Sequence, residues 1–563
     1  MRGRARTTVL ALAALAVAGA VWVWLTLPPA SIPQPAAVPA THLLGAYHVH
    51  TIRSDGSGTV DEVAAAASRA GLDFVVLTDH GDGTRPPLPP ARRSGVLILD
   101  AVELSTRDGH LVALGLDGPA PYPLGGAARD VMEDIHRMGG LAFVAHPDSP
   151  KAELRWRGPA ASSDGFEWLN VDSEWRNESP GRLAATLVRA LVRPPEAVAS
   201  LFDGRERPWS TGRRAQVGIA ALDAHGAGSR EENGQPGGWL GAMSPVPGYE
   251  SLFRTLAQVA VLSGPPRGNA AEDADAIRNA LGRGQSYTVI RAFADPGVLI
   301  MTAVEDGRPI SMGESLAGGA IAFEAELAGV PDARVTLFDR GRRLADGIGR
   351  VTWEGQPDDE AVLWVEGRIG GHDFPWIVSN PIFGRAIRRG PPARDAPVAA
   401  GVADALAPDD QWLAEHDPSS QSSHVGGGAE LQWRFTLGRE TSASPYVALV
   451  RAIPHGRGYR DVSFRMQGDR PMRVFVQVRL PGTGDGQRWG RSVFVDQTLR
   501  QYVLRLEDFE PIGQTTSLRP VVVEIRSLLF VVDTVNTLPG SSGAVTLVDV
   551  ALGHGDGEAS GGR

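Results

Sequence analysis

Short uninterrupted apolar runs alternate with helix-patterned stretches from Tyr47 to about Arg291. The runs are Phe74–Leu77, Val96–Val102, Leu141–Ala145 and Val217–Leu222. Between them, Val60–Ala70 follows a plausible cap at Ser57 or Thr59, and Ala127–Met138 stops at Gly139-Gly140. Apolar strands alternating with helices predict a parallel α/β barrel or layered sheet. Beyond about residue 292 the helices drop out. Val298–Val304, Ala320–Leu327, Arg334–Phe338 and Ala361–Gly367 read as strands of a small β-sandwich spanning 293–387. Residues 388–429, rich in Pro, Ala, Asp, Ser and Gly, read as a linker. Strand-like runs return across 430–553, among them Met472–Leu480 and Leu528–Val532, in the rhythm of a sandwich or jelly roll. Residues 554–563 read as a disordered tail.

At the other end, Arg2, Arg4 and Arg6 precede an uncharged apolar run, Thr7 to Leu27. About 20 such residues span a bilayer core, and flanking arginines favour the cytoplasmic side. Residues 1–28 are therefore expected to be an uncleaved anchor in the cytoplasmic (inner) membrane, with 29–44 a Pro/Ala tether and the bulk of the chain periplasmic or otherwise extracytoplasmic. Secretion after signal cleavage is the alternative.

Composition narrows the chemistry. With 563 residues and 42% hydrophobic content the chain can build several cores, and a net charge of −10 without a long basic run argues against nucleic acid as a partner. There is no cysteine, so thiolate catalysis and disulfides are excluded and any metal site must use His, Asp and Glu.

Such residues gather at the ends of the apolar runs. His48 and His50, two apart on a strand, share a face, and Asp55 follows in the next turn. Asp79-His80 follows Phe74–Leu77. Glu103 follows Val96–Val102, with His110 just beyond; His146 follows Leu141–Ala145, and Asp223 and His225 follow Val217–Leu222. In a parallel barrel, strand ends meet at one face. Nine ligand candidates (His48, His50, Asp55, His80, Glu103, His110, His146, Asp223, His225) exceed one tetrahedral site and imply two or three divalent ions, Zn, Mn or Fe, with Glu103 as the bridge. Asp79 reads as a partner that orients a ligand, and Asp79, Asp223 or His225 as the proton carrier. Arg53 and Arg176 are candidates to clamp a substrate anion.

In their order, HxHTxxSDG from His48, TDHG from Thr78, Glu103 with Gly109-His110, AHP from Ala145 and DAH from Asp223 resemble the PHP (polymerase and histidinol phosphatase) superfamily. Within it they are similar to the CehA/McbA-like metallohydrolases, over roughly 45–385. The resemblance implies a distorted (β/α)₇ TIM-like barrel at 45–292 and a trinuclear metal centre. One ion would take His48, His50, Glu103 and Asp223, a second Asp55, His80 and His225, and a third Glu103, His110 and His146. It implies phosphoester hydrolysis by a metal-bound hydroxide; carbamate, carboxyl-ester or amide hydrolysis is the alternative. A non-catalytic glycan-binding surface protein is a third reading, since the C-terminal sandwich resembles galactose-binding-like jelly rolls and Trp489 offers a sugar platform or a core residue.

Overall fold

The computed structural model describes residues 2–34, 36–158, 163–202, 209, 216–226, 248–387, 403–439, 444–454, 456–482 and 486–554. The chain divides into two compact units. The first comprises 1–82, 86–118 and 132–392; the second comprises 83–85, 119–131 and 393–563.

A long mixed sheet runs through the first unit. Its strands lie in the order Val217–Ala221, Gly165–Asn170, Leu141–Val144, Gly109–Leu114, Val96–Thr106, Phe74–Leu77, His42–Val49, Ala257–Val261 and Ser286–Val289. It continues through Ile377–Ser379, Val362–Arg368, Arg334–Asp339 and Arg342–Ile348. Along this path parallel pairing is confined to two runs: His42–Val49 with Phe74–Leu77 and Val96–Thr106, and Leu141–Val144 with Gly165–Asn170 and Val217–Ala221; off it, His80–Gly81 also pairs parallel with Val96–Thr106. The other neighbours along this path are antiparallel.

The expected TIM-like (β/α)₇ barrel is therefore corrected. Such a barrel needs parallel strands with a helix after each. Here Arg107-Asp108 closes a tight hairpin between Val96–Thr106 and Gly109–Leu114, leaving no room for a helix and reversing the chain. Apolar periodicity reports burial but not strand direction, and this is why the pattern misled. The core of this sheet holds Tyr47, Phe74, Val112, Phe143 and Ile219, with Ile277 and Leu281 from the helix Ala270–Arg283 packed against them.

Two other boundaries fall elsewhere than expected. Ser286–Val289 pairs with Ile377–Ser379, so the strands of 293–387 extend the same sheet. Beside them lies a four-stranded sheet built on Val298–Glu305 and Ile321–Ala328. In the expected linker, Ala403–Ala405, Trp412–His416 and Gln421–Gly427 are strands, while 388–402, like 555–563 of the expected tail, lie outside the described residues.

A helix does form over Arg2–Thr26. Yet among the described residues no helix is long and apolar enough to cross a membrane. The transmembrane signal anchor, and the membrane and periplasmic localisation built on it, are corrected on that finding. The end of this helix makes polar contacts: the Arg189 guanidinium lies 5.3 Å over the Trp22 ring and donates to the Thr26 hydroxyl at 3.3 Å.

Two six-stranded antiparallel sheets form the second unit. Between them pack Trp412, Trp433, Phe464, Val476, Trp489 and Phe530. The inward side chains alternate along Glu430–Thr436, whose Leu431, Trp433 and Phe435 are buried while their neighbours face out. The segment 119–131 belongs to this unit, although 86–118 and 132–392 belong to the first. Asn536 donates to the carbonyls of Pro123 and Gly125, Arg473 donates to that of Asp130, and the Ser492 hydroxyl donates to the Asp130 carboxylate at 2.8 Å.

Asp417 anchors one sandwich turn. Its carboxylate accepts from the Ser419 amide (2.9 Å), the Ser419 and Ser420 hydroxyls and the Tyr446 amide (2.9 Å). Burial opposes its charge, but these donors more than offset that and hold its pKa below the usual carboxylate range. Asp417→Ala is expected to destabilise the second unit by about 3 kcal/mol, read by urea unfolding with tryptophan fluorescence. Because the folded pKa is depressed, the difference is full above the unfolded carboxylate value and shrinks as pH falls through the folded one.

Candidate metal centre

Two strand ends converge because their backbones pair. His50 N–H donates to the Ala224 carbonyl at 2.9 Å and Ala224 N–H to that of His48 at 3.1 Å. This bridge sets His48 and His50 against Asp223 and His225. The two histidines do not meet by strand alternation: the ladder slips between Ala46 and Val49, and His48 takes φ 65°. A bulge of this kind re-aims a side chain. His80 is paired in register with Glu103, which lies in Val96–Thr106; that strand's hairpin partner carries His110, and Ala145 N–H bonds the His110 carbonyl, delivering His146.

Seven non-glycine residues have positive φ among those described. Ser94, Asp306 and Arg340 each precede a glycine of positive φ in a hairpin turn, and Asp549 lies in the Ser542–His554 strand. The remaining three are His48, His146 (28°) and Asp223 (51°), all in the cluster. Backbone held in the left-handed region costs about 1–3 kcal/mol per residue and persists where the surroundings impose it.

Glu103 is the hub. Its Oε1 lies 2.7 Å from His110 Nδ1 and 2.8 Å from His146 Nε2; its Oε2 lies 3.1 Å from His48 Nε2, 3.3 Å from His50 Nε2 and 3.4 Å from His80 Nδ1. Asp223 Oδ1 approaches His48 Nε2 at 3.4 Å and His50 Nε2 at 3.3 Å. Asp55 meets His50 at 3.3 Å, His225 at 3.0 Å and His80 at 3.6 Å. The ligand atoms fall into three overlapping groups, each within 4.8 Å: His50–Asp55–His80–His225, His48–His50–Asp223 and His80–Glu103–His110. The structure thus brings together eight of the nine ligand candidates in these groups, and His146 joins them through Glu103.

Charge is concentrated here. Burial opposes ionisation of Glu103, but His48 and hydrogen bonds from His110 and His146 more than offset it, leaving its pKa well below the carboxylate range. Asp223 is likewise depressed, against burial, by His48 and His50, and Asp55 by His225 and His80. Conversely, His48 is raised well above an ordinary histidine: burial lowers it, but Glu167, Asp223 and Glu103 prevail. His225 is pushed up to about 9 by Asp55 and Asp223 against its burial. A buried set of nitrogen and carboxylate donors with no thiolate suits divalent cations, and the ionised carboxylates call for positive charge among them. These residues fit such ions.

Glu167 is one residue that sequence reasoning missed. It lies in the buried strand Gly165–Asn170, where its Oε1 meets His48 Nδ1 at 2.5 Å and its Oε2 accepts from the His146 amide and from Asn170 Nδ2, both at 2.8 Å. A lone carboxylate inside an apolar run was the available signal. Imidazoles that bind metal commonly give their other nitrogen to such a carboxylate. Glu167→Gln is expected to weaken metal binding about 10–100-fold, measured by competition with a chromophoric chelator.

Other candidates stand apart. Both oxygens of Asp79 are taken by the Thr51 hydroxyl; its Oδ1 also accepts from the Thr51 amide and the Ser54 hydroxyl, so it braces the loop ahead of Asp55. Arg53 forms a forked pair with Asp100, at 2.5 and 3.0 Å. Arg176 pairs with Asp172 on the short helix Val171–Arg176, whose cap, Asn170, reaches Asp223 at 3.4 Å. Burial opposes the charge of Arg176, but the fields of Asp172, then Asp223 and Asp55, raise its pKa. Trp489 is buried, its indole N–H donating to the Ser517 carbonyl.

No family model matches the chain, so the PHP resemblance gains no support there, and no curated protein matches it either. The solved structures similar to it include a family 11 carbohydrate-binding module of a cellulosomal cellulase of Clostridium thermocellum. That match is 18% identical, covers 28% of this chain and 97% of the module, and has a TM-score of 0.24. A TmCBM61 structure in complex with beta-1,4-galactotriose is 14% identical, over 26% of this chain and 90% of its own, with a TM-score of 0.18. The agarase AgWH50C is 8% identical over 26% and 24%, with a TM-score of 0.20. Likeness at this level carries no argument about ligand or activity.

Proposed function

We propose that the chain is a metal-dependent hydrolase whose centre is built on Glu103, and that it acts on phosphoesters. The observation supporting this most directly is the convergence of three donor groups, with His48 and Asp223 among them, and the neighbouring His146, held in the left-handed region. His48, His50, Asp223 and Glu103 would hold one ion, Asp55, His80 and His225 a second, and Glu103, His110 and His146 a third. Divalent ions in such a setting supply Lewis acidity and make bound water more acidic. The chain's own residues do the rest. Glu167 fixes the ring of His48 through its Nδ1. His80 and His225 are the more open rings, with side chains 19% and 18% exposed against 0% for His48 and His50, so substrate would enter on their side. There His225 Nδ1–H donates to the Asp223 carbonyl, which leaves Nε2, beside Asp55 Oδ2, to face the second ion. Arg176 lies in the field of Asp223 and Asp55 but is paired with Asp172, so a substrate anion would compete with that carboxylate for it.

The test is metal analysis of protein purified without chelator, with turnover of 4-nitrophenyl phosphate, its diester, 4-nitrophenyl acetate and a carbamate. Two or more ions per chain, and phosphoester turnover lost in His50→Ala, are expected. Full activity with fewer than two ions would sink the proposal, and turnover of only the acetate or carbamate would overturn the phosphoester assignment.

The names of the similar solved structures lean instead toward glycan binding. Of the Trp, Tyr and Phe side chains described between 403 and 554, none is exposed. Tyr446, Phe475, Phe494 and Tyr502 are half-buried and the others buried, and a glycan array on the full chain would test this reading.

A further inference from the structure

We infer that Tyr249 is a positioning residue for the metal centre: its hydroxyl sets the separation of the two turns that carry His50 and His225. The inference rests on the metal reading above. The hydroxyl oxygen lies 2.9 Å from the His50 carbonyl, 3.0 Å from the His225 carbonyl, 3.2 Å from the Ser57 amide and 3.1 Å from the Gly58 amide. A phenol has one proton and two lone pairs. It therefore accepts both amides, which close the loop bearing Asp55, and donates to one of two carbonyls, each belonging to a residue whose ring faces the cluster. Ser57 N–H also reaches the His225 carbonyl at 2.8 Å, so the hydroxyl completes a knot already drawn between the turns.

The ring is placed as tightly as the hydroxyl. A Cβ on Gly58 would lie 2.8 Å from Tyr249 Cε2, and one on Gly226, at φ +74°, would lie 2.3 Å from Ser57 Oγ and 2.5 Å from the same ring atom. One glycine comes from each turn, and the phenol is wedged between them. On the far side of this wedge the His50 and His225 rings stack at 4.3 Å and 13°, and both reach Asp55. Tyr249 opens the helix Tyr249–Phe253, is 8% exposed and packs against Phe253. Its phenol is thus supported from outside the cluster, and the spacing of His50, Asp55 and His225 follows from a rigid spacer.

The experiment is cobalt titration of the full chain, followed by visible absorption, for the wild type, Tyr249→Phe and Gly58→Ala. Tyr249→Phe keeps the wedge and removes only the hydroxyl; Gly58→Ala presses on the ring, the one group its Cβ would meet, and leaves the hydroxyl in place. Both are expected to weaken one class of cobalt site about 10–100-fold and to shift its visible bands. A lowered melting temperature with cobalt affinity and spectrum intact in both variants would reduce Tyr249 to a packing residue and overturn the inference alone. If the wild type takes up no cobalt, the metal reading fails and this inference falls with it.

Discussion

Glu103→Gln is expected to empty at least one cation position per chain and to lower metal-dependent turnover by well over about 100-fold, the ceiling for a residue that merely supports a ligand. One carboxylate faces five imidazoles, two through Oε1 and three through Oε2. The amide is nearly the same shape, but it carries no charge and turns one acceptor into a donor aimed at ring nitrogens. Glu103 is 1% exposed, so water cannot stand in for the lost charge. Metal analysis and a turnover assay on the purified variant read the effect. Wild-type metal content together with wild-type turnover would show that the carboxylate is an ordinary ion-pair partner of histidines.

Metal loading should raise the melting temperature of chelator-treated protein by about 5–15 °C when the ion stands a thousand-fold above its dissociation constant. The size of the shift should depend on pH in a definite direction. His48, His146 and His225 have raised pKa values in the metal-free fold, so their stabilising contribution is present below the unfolded histidine value and lost as pH rises through the folded one. A cation must also displace those protons, which weakens its binding in acid. Both effects act the same way: the shift should grow between pH 6 and 9. Differential scanning fluorimetry with and without added Mn²⁺ or Zn²⁺ measures it, and a shift that shrinks over that range contradicts the ligand assignment.

The site was more legible in the sequence than the fold around it. His80, Glu103, His146 and Asp223 each follow an apolar run, and a polar residue at the end of a buried strand stands out in a single chain. Strand direction does not. The hairpin at Arg107-Asp108 and the antiparallel return of Ala257–Val261 look, in one dimension, like further alternation of strand and helix. The backbone geometry behind the ligands was equally hidden: the bulge that turns His48 inward depends on pairing partners far away in sequence. Glu167 and Tyr249 went unnoticed because their roles lie in what they touch, a ring nitrogen and four backbone atoms, and neither carries a local motif. Arg53 looked like a clamp for substrate because it lies inside the ligand loop, but Asp100, from a neighbouring strand, claims it.

The seating of residues 119–131 within the sandwich has a consequence for how the molecule is made and inherited. Those residues leave the ribosome early, yet the side chains that satisfy them, Arg473, Ser492 and Asn536, arrive near the end of synthesis. Until then their carbonyls and the Asp130 carboxylate must wait on water. A fragment stopping short of residue 393 would strand them permanently, and a sandwich expressed by itself would lack a piece of its own surface. The two units are therefore poor candidates for exchange as independent cassettes.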